Sequence, residues 1–511
     1  MSVERVEEVE FHRGLRDIQS ELRRYDPDSV MLESLKYLYA PAKNKTEKIS
    51  RQPWLVMLLL KWAYLDPLAN SLLPRPGISK DRLLSILQKV LNLSDSGRMP
   101  FDYADVRLFM RALAYQQFFY QKDDQFSDLA RQELIFAEVP DNHYFKVNFE
   151  KGVGLSVEVF IRLSMALIVH IGNYGFCLSR ADLFALCPPY TPFEIDAFLR
   201  AVSVESSQLQ RFLIEVEKEA SGSEEFLRQT PFLQRPLIKH GPYYFCVSTH
   251  VLQRSLGHYI YDYLKRDDVN GFNNPFGKAF EKYVGRFLEK TGLPLVSERE
   301  LIKFLPGTGG VVDFLVADGN SNILIDAKGV EMGLRGMVSV TQGDIRKATK
   351  TSLIKAFEQA HEVVSRIPET SKHSIVRRGV CNYLLVVTYK ELYVGNGVML
   401  EGVVGVDVLD KIRKSYAEEF IVPLENMYFL TIHEFEVLTT VVANGKIGFV
   451  EAIERAKKAD AQPATQNFNF ELHLRSWRDL IGPEVPLLDV LKGMVEGMAA
   501  LVPRSEAVEG E

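Results

Sequence analysis

The chain has 511 residues, 46% hydrophobic and 25% charged, a balance that suits a folded protein of about three domains and excludes extensive disorder. A net charge of -6 excludes a globally basic polyanion binder, so nucleic acid would have to be met by local patches of lysine and arginine. Cys177, Cys187, Cys246 and Cys381 are dispersed with no CxxC pair, and read as buried or semi-buried thiols, not as a zinc site or a disulfide framework.

The amino terminus, MSVERVEEVEF, is too acidic and polar for a secretory signal, and a cytoplasmic location is expected. Residues 1–250 read as a mainly helical recognition or regulatory region, with apolar side chains at helical spacing through 54–65, 83–94, 104–120 and 155–171. WLVMLLLKWAYL is broken by Lys61 and too short to span a bilayer, so a buried helix is expected and no membrane partner. Ser179 to Asp182 and Thr191 to Glu194 have the pattern of capping boxes, predicting two short helices around CPPY. RPLIKHGPYYFCVS turns at Gly241 and Pro242 and predicts a hairpin. Together these could form a helix-turn-helix with a wing, or simply complete a packed domain.

A helix at 249–265 leads into the 251–400 segment, which reads as a helix at 275–290, strands at 295–304, 311–317 and 322–328, a helix at 343–366 and a strand in NYLLVVTYKELYV. The expected fold is therefore an α/β core, a mixed sheet flanked by helices, carrying a mainly helical amino-terminal region. Residues 401–511 read as an α+β extension packed on that core, with a terminal helix at 485–501.

The chemistry lies in four residues of the α/β block. Asp313 and Asp326 fall on adjacent predicted strands joined by a tight turn. Asp326 and Lys328 differ by two positions, so they share one face of a strand. Glu281 sits at the margin of the stripe Phe280, Tyr283, Val284, Phe287 and Leu288, with Gly277 and Gly285 four positions to either side and open space expected around it. Carboxylates without nearby histidine or cysteine suit Mg2+ or Mn2+, whose chemistry is to neutralise phosphate oxygens and activate water. Lys328 could orient the attacking water or stabilise the transition state.

GKAFEKY with Glu281, VVDF with Asp313 and IDAKG with Asp326 and Lys328 resemble the motifs of the PD-(D/E)xK, or restriction-endonuclease-like, nuclease superfamily over about residues 273–397. Val312 stands where that family often has proline. The resemblance implies that Glu281, Asp313 and Asp326 bind Mg2+, with Mn2+ as the other candidate, and that Lys328 is catalytic. It also implies a glutamine on the following helix, for which Gln359 and Gln342 are both candidates.

The resemblance further implies a metal-dependent endonuclease acting on DNA or RNA, transfer RNA included, in prokaryotic anti-phage defence. Such an enzyme would take a phage-derived trigger or regulatory protein as partner, and a homodimer would suit double-strand cutting. The alternative is an inactive nuclease-fold scaffold that binds nucleic acid without turnover. Arg335, Arg346, Lys347, Lys350, Lys355, Lys372, Arg377 and Arg378 are candidates for a phosphate track, and AKNKTEKISRQ for a further backbone contact. Tyr243, Tyr244 and Phe245 could stack bases or fill a core, and His361 is expected to be structural or to support the site from behind the reacting residues, not to be the general base.

Overall fold

A computed structural model of the chain describes residues 3–69, 73–95, 103–122, 126–186, 189–217, 222–339, 341–369, 373–482 and 486–501. Cys187 and Lys372 lie outside the described residues. The chain divides into two units, one built from Met1–Met99, Tyr115–Val269 and Leu487–Glu511, the other from Pro100–Ala114 and Asn270–Pro486.

In the first unit the helix Pro53–Leu65 buries all but its Trp54 and Leu65 side chains. Lys61 interrupts this apolar run because it has partners inside: its Nζ lies 2.7 Å from Glu217 Oε1 and 2.7 Å from Glu225 Oε2, and Trp62 Nε1 donates to the same Glu225 oxygen. A buried ammonium held between two carboxylates is the arrangement under which such a charge is tolerated. The helix Val157–Tyr174 is long and apolar enough to cross a membrane, and 61% of it is buried in the protein, as in a core helix.

The expected helix pair is present as Arg180–Leu186 and Pro192–Val202. Thr191 and Glu194 close a capping box, while Ser179 and Asp182 exchange the same pair of bonds. The hairpin β3 (Leu237–His240) and β4 (Tyr243–Cys246) turns at Gly241, whose positive φ of 59° a side chain would resist. β1 (Cys177–Ser179) pairs antiparallel with β4 and β2 (Ser203–Glu205) parallel with β3, giving the order β1-β4-β3-β2. Tyr243 is exposed whereas Tyr244 and Phe245 are buried, so two of the three aromatics are core.

The second unit holds a five-stranded sheet of order β5-β6-β7-β8-β9. β5 (Leu295–Ser297), β6 (Phe314–Asp318) and β7 (Ser321–Lys328) run antiparallel, and β8 (Cys381–Thr388) and β9 (Met427–Thr431) continue parallel to β7. The helix Leu353–Arg366 lies in the crossover from β7 to β8, which parallel strands require. β9 comes from the 401–511 segment, which thus supplies the fifth strand.

Two element boundaries differ from expectation. The 295–304 stretch is a strand only to Ser297, where Ser297 and Glu300 form a capping box and start the helix Glu298–Phe304. The helix expected over 343–366 is two, Gln342–Thr349 and Leu353–Arg366. His361 is fully buried, its Nδ1 2.8 Å from the Phe357 carbonyl and its Nε2 accepting from the Val422 amide, and burial lowers its pKa: a structural histidine.

Candidate metal centre

The helix Val269–Lys290 carries Glu281, and two close approaches seat it against the strands. A Cβ on Gly329, directly after Lys328, would lie 2.8 Å from the Phe276 ring, and one on Gly285 would lie 3.0 Å from the Phe314 ring. Gly285 is therefore a contact between helix and strand. Only Gly277 has the open space expected around both. Behind the helix, Tyr283 OH donates to the buried Glu436 at 2.6 Å.

Asp313 precedes β6 instead of lying on it. Its carbonyl accepts from the Glu298 amide at 2.7 Å, and its Oδ2 accepts from the Ala327 amide at 2.6 Å, so its position is set from the helix start after β5 and from β7. Asp326 is fully buried in the central strand β7. Its Oδ1 meets no hydrogen-bond donor among the described residues, and its Oδ2 faces Lys328 Nζ at 2.7 Å, off hydrogen-bond alignment. That contact is what the shared strand face requires.

Glu281, Glu298 and Asp313 each offer an oxygen within 4.8 Å of the others. Asp326 stands beside this trio and acts on Asp313 and Glu281 through its charge. Burial first, and Asp326 second, push the Asp313 carboxyl up to about 8 against the opposing pull of the Ala327 amide and Lys328. Burial and then Glu298 raise Glu281, with Arg299 and Lys278 working against them. Burial and, after it, the neighbouring acids both disfavour charge on these carboxylates, and a divalent cation would offset that cost. The donor set is all oxygen, which fits Mg2+ or Mn2+.

Gln359 accepts from Lys328 Nζ at 3.1 Å and donates to the Val311 carbonyl at 2.7 Å, tying the lysine to the loop before Asp313. Gln342 instead donates to the Gly402 carbonyl on the far side of the helix break, so Gln359 is the glutamine that reaches the centre. Glu298 was hidden because the 295–304 stretch reads as one strand. The signal that could have found it is the S-x-x-E pattern of Ser297 and Glu300, which ends the strand and turns the chain into a helix.

The expected phosphate track does not survive as a set. Arg346 is tied to the Val404 carbonyl and Asp407, Arg335 to Asp344, and Arg378 to Glu419, while Arg377 reaches the Gly319 carbonyl. Lys347, Lys350 and Lys355 stay exposed. Arg51 of the AKNKTEKISRQ segment is spent on the carbonyls of Leu38, Ala40 and Pro41.

Compared with protein-family models, curated proteins and solved structures, the chain matches none.

Proposed function

We propose that the second unit is the catalytic body of a nuclease that hydrolyses nucleic-acid phosphodiester bonds with Mg2+, or Mn2+, and that the chain belongs to the restriction-endonuclease-like superfamily. The observation that carries this reading is the convergence of Glu281, Glu298 and Asp313 beside a fully buried Asp326 whose Oδ1 meets no donor among the described residues. An orphaned buried carboxylate oxygen is costly, and a cation is the partner that would offset the cost. The order helix, three antiparallel strands, helix and parallel strand lends further support.

Asp313, Asp326, Glu281 and Glu298 are the residues that would hold the cation. When bound, it would neutralise a phosphate oxygen and lower the pKa of a water. Lys328 keeps its ammonium at the edge of the carboxylates, where it can donate to a phosphate oxygen as negative charge develops. Gln359 fixes the direction of that ammonium.

The reading extends to DNA or RNA as substrate and to prokaryotic anti-phage defence in the cytoplasm, where the first unit would receive a phage-derived trigger or regulatory protein. The large share of the chain outside the catalytic unit supports it. The test is cleavage of plasmid, single-stranded DNA, total RNA and transfer RNA by the whole protein in Mg2+, Mn2+ or chelator. Cutting of at least one substrate, lost in chelator and in Asp326→Ala, is expected. Cutting that survives Asp326→Ala would overturn the reading, as would nucleic-acid binding without cleavage under every condition.

A further inference from the structure

The carboxylates of the centre raise a problem for the substrate, because a phosphodiester backbone approaching four acids is repelled unless cations meet it. The arginines after β7 are held elsewhere by acids and carbonyls. Two exposed cations stand immediately beside the acids. Lys278 lies three positions before Glu281, one turn away on the same helix face. Arg299 directly follows Glu298 in the first turn of its helix. Among the described residues neither side chain is held in an ion pair or a side-chain hydrogen bond. Lys278 shares the helix of Glu281 and Arg299 shares that of Glu298, whose carboxylate lies within 4.8 Å of that of Glu281, so the two cations border the cluster from two different elements.

We propose that Lys278 and Arg299 grip the backbone phosphates on either side of the one to be cut, drawing a nucleic-acid strand across the carboxylates. The proposal rests on the nuclease reading and adds to it the residues that position the substrate. Lys278 is the flexible point charge of the pair, whereas Arg299 can meet a phosphate with two parallel hydrogen bonds. Contacts of this kind carry no sequence preference, so the grip would hold a backbone whatever its bases.

Two measurements test it. Binding of fluorescently labelled duplex and single-stranded oligonucleotides to Lys328→Ala, which slows cleavage while leaving the carboxylates intact, is followed over a range of KCl in Mg2+. Adding Lys278→Ala and Arg299→Ala should make the plot of log K against log salt shallower by about 1.4 to 1.8, two phosphates at about 0.7 to 0.9 each. In the otherwise wild-type protein the same pair should raise KM and leave kcat nearly unchanged. Lys411→Ala with Lys458→Ala, the same change in net charge at two other exposed lysines, should alter neither quantity. A slope and KM equal to those of the parent protein, or a change no larger than that of the control pair, would overturn the proposal while active cleavage left the nuclease reading standing. A wild-type protein that neither binds nor cuts any nucleic acid would overturn both.

Discussion

Burial and the nearby Asp326 keep a proton on Asp313 to about pH 8, so a divalent cation has to displace that proton before it can bind. Mg2+ affinity should therefore rise with pH up to about 8, with close to one proton released per ion at neutral pH, as calorimetry in buffers of different ionisation enthalpy would show. The sign for stability follows from the same shift. The folded value lies above the ordinary 3.8, so the folded protein holds a proton that the unfolded chain has already lost between about pH 4 and pH 8. The stability of the metal-free protein is fully present below that window and falls as pH rises through it. Asp313→Asn should flatten this slope in urea titrations at several pH values. Glu434, which burial raises to about 7, adds a slope of the same sign in the lower part of the window. Gln359→Ala should cost about 10- to 100-fold in activity, the usual effect of losing a group that orients a catalytic one. Lys61→Ala should destabilise the first unit by about 3–5 kcal/mol in urea unfolding, since it leaves the carboxylates of Glu217 and Glu225 facing each other inside.

Among the elements, the contact between the Glu281 helix and the sheet decides whether the acids meet. Gly329→Ala would press a methyl group into the Phe276 ring and should cost about 1–3 kcal/mol, read as a lower thermal midpoint together with weaker cation binding. Much of this level could be read from the residues alone. The two-position spacing of Asp326 and Lys328 gave their shared face, and Gly319 at the β6–β7 turn, with its positive φ of 59°, brought Asp313 to the amide of Ala327. The Glu281 helix also follows its apolar stripe. Glu298 escaped because strand periodicity in 295–304 overrode the capping box at Ser297, and a short strand beside a short helix is ambiguous to any pattern of apolar residues. The choice between Gln342 and Gln359 depended on a helix break after Thr349 that neither glycine nor proline marks.

At the scale of the molecule, the sheet of the second unit is completed by a strand distant in sequence. β9 pairs with β8 from Leu384 opposite Met427 to Thr388 opposite Thr431, and no local signal announces such a parallel pairing. Asp460 then ties the end of the helix Phe449–Asp460 to β9, its carboxylate accepting from Tyr428, Asn396, the Asn467 amide and His473. A chain ending at residue 400 would bare the edge of β8, whose last six residues are all buried, and should be insoluble or lack a cooperative melting transition by circular dichroism. The proposed chemistry requires the carboxylates to hold a cation, which can be tested without knowing the substrate or any trigger. The measurement is a Mn2+ titration of the whole protein followed by electron paramagnetic resonance, beside the variant Glu281→Gln, Glu298→Gln, Asp313→Asn. Saturable binding in the wild type that disappears in a folded variant is the predicted result, and equal Mn2+ binding by both proteins would contradict it.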